Sequence, residues 1–410
     1  MPFNMYNFLN KLSFTRVSAS EEELLAATMI KDTVEKLNGT ASIIPFEVSA
    51  YQVKHAKLYT NNKEYEVSGI KGTKSAKITA PFYYMETTLD TDKYDIKDKI
   101  VLINGVVNVP IYKKLIKYGA KAFISFSGDI TDNETNSDLE NKELRDVLRK
   151  KGIIPGVHMR TKTALELVRD NPNEITLEIE QEEFTKNSHN VLAEIKGEKY
   201  EDEIIYITAH YDSVEFSKGA YDNGAGSALI MKLFEYFNTN KPLRTVKFLW
   251  CGSEERGLLG SKAHINSLEK EEIEKIIFNI NVDVAGTILG TEYANVMAEE
   301  ALVNYVNYLS NEINFPIMVR QDIYSSDSIP FSDQGIPSIN LMRFGPRGGA
   351  HIHDRYDTMN FISEVSLNHT YVFLEYISQK LINANTFPVK RTIPENIKKK
   401  IDEYLFKNED

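Results

Sequence analysis

Residues 204–227 read IIYITAHYDSVEFSKGAYDNGAGS. The apolar run 204–209 stops at His210, with Asp212 two residues on, and the glycine-punctuated Asp222-Asn223-Gly224 then opens an apolar helical stretch, GSALIMKLFEYF. A short β-branched and aromatic run followed by a helical period predicts a strand leading into a crossover helix. The pattern repeats outward, with further candidate strands at 245–251, 277–283 and 338–342. Strands alternating with helices predict an α/β domain built on a mostly parallel mixed sheet flanked by helices. Ligands of such sheets gather beyond the carboxyl ends of the strands. His210, Glu254, Glu255 and Asp283 all fall at or just beyond such ends.

Each of these residues has an ordinary structural reading and a chemical one. His210 with Asp212 is by itself a strand-end histidine beside a turn acid; it is also a metal ligand with an orienting carboxylate, since a metal-bound imidazole usually donates its second N–H to such a group. Asp222 before a glycine turn is by itself a helix cap; beside His210 it reads as a carboxylate bridging two ions. In WCGSEERGLLG (250–260) the adjacent acids Glu254 and Glu255 follow the run TVKFLWC. Off a strand end, one of them can ligate metal while the other contacts water, so Glu255 is assigned as ligand and Glu254 as general base. Asp283 lies in IIFNINVDVAG, too apolar to carry a charge without either a cation or a backbone turn as partner. Finally GGAHIHDRYDT (348–358) offers His351 and His353. His353 is preferred as ligand because Asp357, four residues on, can support it. Together these residues supply imidazoles and carboxylates for two zinc ions and one carboxylate left over as a base, the make-up of a zinc-dependent peptidase. Affinity alone does not select zinc, so Co2+ or Mn2+ would also suit the set.

Composition excludes several other classes. The chain has 410 residues, a formal net charge of −11, 42% apolar and 26% charged residues. That length exceeds the roughly 250–300 residues at which single cores stop growing, and the balance is that of an ordered globular protein. Neither half carries a basic stripe, so no nucleic-acid partner is expected. The lone Cys251 sits in an apolar run and reads as a buried small side chain, compatible with a reducing compartment. The opening MPFNMYNFLNKLSFTRVSAS lacks a basic segment followed by an apolar stretch, and no segment approaches the ~20 apolar residues of a membrane span. No membrane partner and a cytoplasmic location are the expectations, which leaves the Asn38-Gly39-Thr40 sequon without meaning.

Residues 21–37 predict a helix with Leu24, Leu25, Met29, Ile30, Val34 and Leu37 near one face, capped by Ser18 or Ser20. From about 51 to 185 the texture changes to Lys-rich alternating strands, then KIVLINGVV, a helical PIYKKLIKYGA and AFISFSGD, with a solvated Asn- and Asp-rich loop after it. The expected organisation is a catalytic domain of residues 1–50 and 186–390, an inserted smaller β-rich domain of residues 51–185, and a helical tail of residues 391–410.

Taken in order, a His, an Asp before a glycine turn, a Glu-Glu pair, an Asp and a final His resemble the family of co-catalytic di-zinc aminopeptidases that includes aminopeptidase S, glutamate carboxypeptidase II and the transferrin-receptor relatives. The resemblance covers residues 188–382 and includes Ser326-Asp327-Ser328-Ile329-Pro330-Phe331 followed by Gly335-Ile336-Pro337. It implies a zinc-exopeptidase fold, one zinc on His210 and Asp283, the other on Glu255 and His353, with Asp222 and a water or hydroxide between them. It also implies removal of N-terminal residues from peptides, with Glu254 passing the proton. Residues 51–185 resemble the protease-associated domain that many members carry. One departure stands out: relatives often place a Tyr before the final His, where its hydroxyl supports the oxyanion, and here that residue is Ile352; Tyr324, Tyr356 and His351 are the candidates to replace it.

Other activities of the same fold compete. A carboxypeptidase or dipeptidase would need arginines for a substrate carboxylate, and Arg343, Arg347 and Arg355 lie near the last motif. A glutaminyl cyclase would use one zinc and would not need the full bridging set, and a receptor-like binding protein would have lost ligands that are all retained here. The oligomeric state is not readable from the sequence.

Overall fold

The computed structural model describes residues 3–87 and 95–407, and the chain divides into two units, Met1–Val48 with Asn187–Asp410, and Ser49–Lys186. In the first unit the sheet runs in the order Ile317–Arg320, Thr291–Met297, Ser338–Phe344, Ile276–Val282, Tyr200–His210, Arg244–Cys251 and the part of Glu174–Ile195 that follows residue 186. The four strands from Ser338–Phe344 to Arg244–Cys251 are parallel, and antiparallel neighbours flank them on both sides. Ile205, Ile207 and Ala209 pack into one apolar cluster with Leu229, Leu233 and Phe234 of the helix Ala225–Thr239. Ile204 and Tyr206 join a second cluster with Leu249, Ile265 and Phe331. Alternate side chains thus go to opposite faces and both faces are covered, so the strand is written as an unbroken apolar run.

The strand order places the site. From Tyr200–His210 the chain crosses to Arg244–Cys251 on one side, then returns past it to Ile276–Val282 on the other. The connections leaving these neighbours go opposite ways, which opens a crevice at their carboxyl ends. His210 ends one of the two strands and Asp283 directly follows the other.

The first long helix, Glu21–Lys36, is capped by Ser20, whose side chain accepts the N–H of Glu23. Its buried face is Glu23, Ala26, Ala27, Ile30 and Val34; Leu24 and Leu25, expected on that face, are exposed. The rotation is set by Glu23, whose carboxylate accepts the Ala19 N–H and the Ser188 hydroxyl. Residues one and two further on then lie about 100° and 200° round the helix. The C-terminal helix Glu395–Tyr404 buries Ile397 and Ile401 against Leu258, Met297 and Ile329. Among the described residues, no helix is long and apolar enough to cross a membrane.

The second unit has its own core around Leu58, Leu102, Ile124, Val157 and Leu167. Its strands Ala76–Met85, Ile100–Ile103, Ala122–Ser127 and Gly156–Arg160 are parallel neighbours, with the helices Val109–Lys117 and Thr161–Asp170 between strands in the chain order.

Candidate metal centre

Five side chains from five separate stretches converge in the crevice. Nε2 of His210 lies 3.1 Å from Asp222 Oδ1 and 3.4 Å from Asp283 Oδ1. Nε2 of His353 lies 3.1 Å from Asp222 Oδ2 and 3.0 Å from Glu255 Oε2. Asp222 therefore presents one oxygen to each imidazole. His210, Asp222 and Asp283 form one group whose donor atoms lie within 4.8 Å of one another, and Asp222, Glu255 and His353 form a second. Glu254 belongs to neither; its Oε2 is 3.9 Å from His210 Nε2. His351 also stands apart, with Nδ1 3.0 Å from Asp354 and its ring beside Tyr356 and Phe361.

Local backbone explains the placement. Asn223 donates from Nδ2 to the Val282 carbonyl at 2.8 Å and accepts the Gly226 N–H at 3.0 Å, which ties the Asp222 turn to the strand that ends beside Asp283. A Cβ at Gly226 would meet Asn223 Oδ1 at 2.3 Å and the Val282 carbonyl at 2.6 Å, so only glycine fits there. The Glu254–Arg256 turn starts at Ser253 in the left-handed region, φ 54°, and turns the two acids off the strand in different directions. Asp212 anchors that turn by accepting the N–H groups of Glu254 at 3.0 Å and of Glu255 at 3.3 Å, while its Oδ1 is 3.4 Å from His210 Nδ1. Asp357 differs from expectation. Instead of supporting His353, its carboxylate accepts the backbone N–H of Tyr221 at 2.7 Å and of Asp222 at 3.1 Å. His353 sits in the left-handed region, φ 57°, and its ring meets Asp222 and Glu255.

The electrostatics are those of an acidic cluster in need of a cation. Burial raises Glu255 to about 7, with Asp222 adding to the rise, and burial raises Glu254 and Asp283 as well. Burial works against the charge on His353, but the carboxylates of Asp222 and Glu255 outweigh it and push the imidazole up to about 11. Burial opposes the charge of Asp222 too, and its two imidazole neighbours hold it below the usual carboxylate range. Two imidazoles in protonated form thus stand in for cations among four buried or half-buried acids. Mixed nitrogen and carboxylate-oxygen donors suit zinc, and the residues present fit such an ion.

Two further residues, Arg16 and Asp327, were not legible as parts of this site. The guanidinium of Arg16 is fully buried beneath the loop that joins His210 to Asp222. Asp327 is buried, accepts from the Ser261 hydroxyl through Oδ1, and has no hydrogen-bond partner for Oδ2 among the described residues; burial raises it to about 7. The motif containing Asp327 was noticed in the sequence, but nothing in it gave this position. Burial holds up the phenol of Tyr324, one of the candidates to replace the hydroxyl missing at Ile352, and the charges of Asp283, Asp222 and Glu254 add to the rise. Arg343, weighed as a binder of substrate carboxylates, is committed to Glu292 at 2.9 Å and to the carbonyls of Thr287 and Ile288.

A parallel-centred sheet bearing two imidazole–carboxylate groups at its switch point has the architecture of a metal-dependent hydrolase. Residues 190–377 match the model of peptidase family M28. Aminopeptidase YwaD of Bacillus subtilis (strain 168) is 26% identical over 364 residues, which cover 83% of this chain and 76% of that protein. Leucine aminopeptidase 2 of Trichophyton rubrum is 35% identical over 121 residues, 30% of this chain and 24% of that protein. The fold is shared with a zinc aminopeptidase from Bacillus subtilis at a TM-score of 0.77 and 24% identity, covering 97% of this chain and 99% of that one.

Proposed function

We propose that the protein is a di-zinc aminopeptidase that hydrolyses the N-terminal bond of peptides. The observation that carries this reading is the pair of donor groups sharing Asp222, with Glu254 beside them and in neither. His210, Asp222 and Asp283 would hold one zinc and Asp222, Glu255 and His353 the other. Zinc bound there would supply a Lewis acid for the scissile carbonyl and lower the pKa of water towards about 7.

The chain's own residues supply the rest. Glu254 takes a proton from the attacking water and passes it to the leaving amine; a carboxyl raised by burial is better matched to proton transfer near neutral pH than an exposed one. Asp212 holds both acids of the pair by their backbone N–H groups, and Asp357 does the same for Asp222. Tyr324 replaces the hydroxyl missing at Ile352 and donates to the oxyanion of the tetrahedral intermediate. The strand–helix–strand series Ile100–Ile103, Val109–Lys117 and Ala122–Ser127 supports reading the second unit as a protease-associated domain.

The names of the relatives support an aminopeptidase, and the engagement of Arg343 with Glu292 weakens the carboxypeptidase alternative. The test is a panel of aminoacyl chromogenic substrates run beside N-acetylated and free-C-terminal peptides, with metal content measured for wild type and Glu254→Gln. The expected result is cleavage that requires a free amine, two zinc ions per chain in both proteins, and a loss of about 10²–10⁴-fold in kcat for the variant. Cleavage of N-acetylated peptides from the carboxyl end would overturn it.

A further inference from the structure

The segment around Arg16 lies outside residues 190–377, yet it reaches the loops on both sides of the metal centre. Arg16 is buried completely, and its guanidinium makes five hydrogen bonds, all to backbone carbonyls. Nε donates to Tyr211 at 2.5 Å, Nη1 to Leu12 at 2.5 Å, Phe14 at 2.6 Å and Lys218 at 2.7 Å, and Nη2 to Gly219 at 2.9 Å. Tyr211 directly follows His210, and Lys218 and Gly219 stand just before Asp222. One planar fork therefore fastens both ends of the loop that joins two proposed ligands. Main-chain bonds reinforce the closure: the Arg16 N–H donates to Ser213 Oγ at 2.9 Å, and the Ser213 N–H donates to the Arg16 carbonyl at 3.1 Å.

The fit is specific to a guanidinium. Gly219 is in the left-handed region, φ 55°, and a Cβ there would come within 2.6 Å of Arg16 Nη2 and 2.8 Å of the Asp222 carbonyl. Among the described residues no carboxylate pairs with Arg16 directly, although the charges of Asp357, Asp212, Asp222 and Glu255 all act on it. A desolvated cation is costly unless acids nearby compensate it, and a guanidinium stays charged where a weaker base would not. Two residues on, the Ser18 hydroxyl shares a hydrogen bond with that of Ser253, the residue before Glu254, and Ser253 donates to Ser188 at 2.7 Å. The segment is thus bonded to the loop carrying the acid pair as well.

We infer that Arg16 is a positioning residue of the metal centre: by fastening both ends of the loop from His210 to Asp222 it sets those two ligands at the spacing a cation requires, and it supplies a fixed positive charge beneath the acidic cluster. This rests on the metal-centre reading above.

The test is zinc affinity, measured by competition with a chromophoric chelator for wild type, Arg16→Met and Arg16→Lys, together with the melting temperature of each with and without zinc and the visible absorption of each Co2+ form. Wild type tests the metal reading by itself; if it binds no zinc, both readings fall. If it binds, Arg16→Met is expected to weaken zinc by about 10–100-fold, the range for residues that orient ligands. The zinc-dependent rise in melting temperature should shrink, the Co2+ bands should shift, and Arg16→Lys, which keeps the charge and loses the fork, should fall between. A residue that only stabilises the fold would lower the melting temperature with and without zinc alike and leave the affinity unchanged; that result overturns the inference while the metal reading stands. If Arg16→Met does not fold, Arg16→Lys decides: zinc affinity equal to wild type overturns the inference, and weaker binding supports it.

Discussion

The N–H of Glu254 donates to Asp212 Oδ1 at 3.0 Å, so the acid proposed as base is held by the acid two residues beyond His210. The same carboxylate takes the Glu255 N–H on its other oxygen at 3.3 Å. Loss of Asp212 would release the turn that separates the two acids. Asp212→Ala is expected to lower zinc affinity and kcat together, each by about 10–100-fold, and the check is a zinc competition assay alongside steady-state kinetics. Equal affinity with reduced kcat would show that Asp212 serves Glu254 alone.

The charges of Asp283, Asp222 and Glu254 act on the Tyr324 phenol and add to the rise that burial causes. Tyr324→Phe removes one donor without changing the ring. The expected outcome is a fall in kcat of about 10²–10³-fold, the usual effect of deleting one oxyanion donor, with KM and zinc content nearly unchanged. A normal kcat would remove Tyr324 from the mechanism and turn attention to Tyr356.

Removing the metal should destabilise the first unit as well as stop turnover. Without a cation, Asp222, Glu254, Glu255 and Asp283 crowd together with only two imidazoles to offset them. Dialysis against a chelator should lower the melting temperature, and zinc at a hundredfold excess over Kd should return about 2.7 kcal/mol. Calorimetry of the metal-free and reloaded protein reads this directly; superimposable transitions would contradict it.

Acid should weaken each unit through one buried histidine. Burial, with the charge of Lys142 adding to it, lowers His158 to about 3, and its ring nitrogens lie 2.8 and 2.9 Å from the Ser125 and Ser127 hydroxyls. Burial lowers His264 to about 4, beside the Tyr206 hydroxyl at 3.0 Å. Below the ordinary value of 6.5 the unfolded chain binds a proton that the native one refuses. Stability from these groups is therefore full above about pH 6.5 and falls by up to about 1.4 kcal/mol per pH unit for each as pH drops towards 3 to 4. Denaturant titrations between pH 7 and 4 should show a shallower decline for His158→Gln than for wild type.

Much of the centre was legible because each proposed ligand has a local signal. His210 ends an apolar run, Asp222 precedes glycines, Glu254 and Glu255 follow a strand, and Asp283 is an acid where a strand should be apolar. The target of Asp357 was not legible, because it is a contact 135 residues away in the chain. The face of the first long helix was misjudged for a related reason: leucines mark an apolar side, but the bond from Ser188 to Glu23 sets which side turns inward.

The sequence alone therefore determined the alternation of strands and helices around residues 204–342, the family resemblance and the residues proposed as donors, since strand ends, glycine turns and acid pairs are local patterns. Tertiary structure decided which donors share an oxygen of Asp222, which acid stays outside both groups, and that Arg16 lies beneath them. Those outcomes depend on distances between segments up to 203 residues apart, as from Arg16 to Gly219, and only the packed sheet with its covering helices sets such distances.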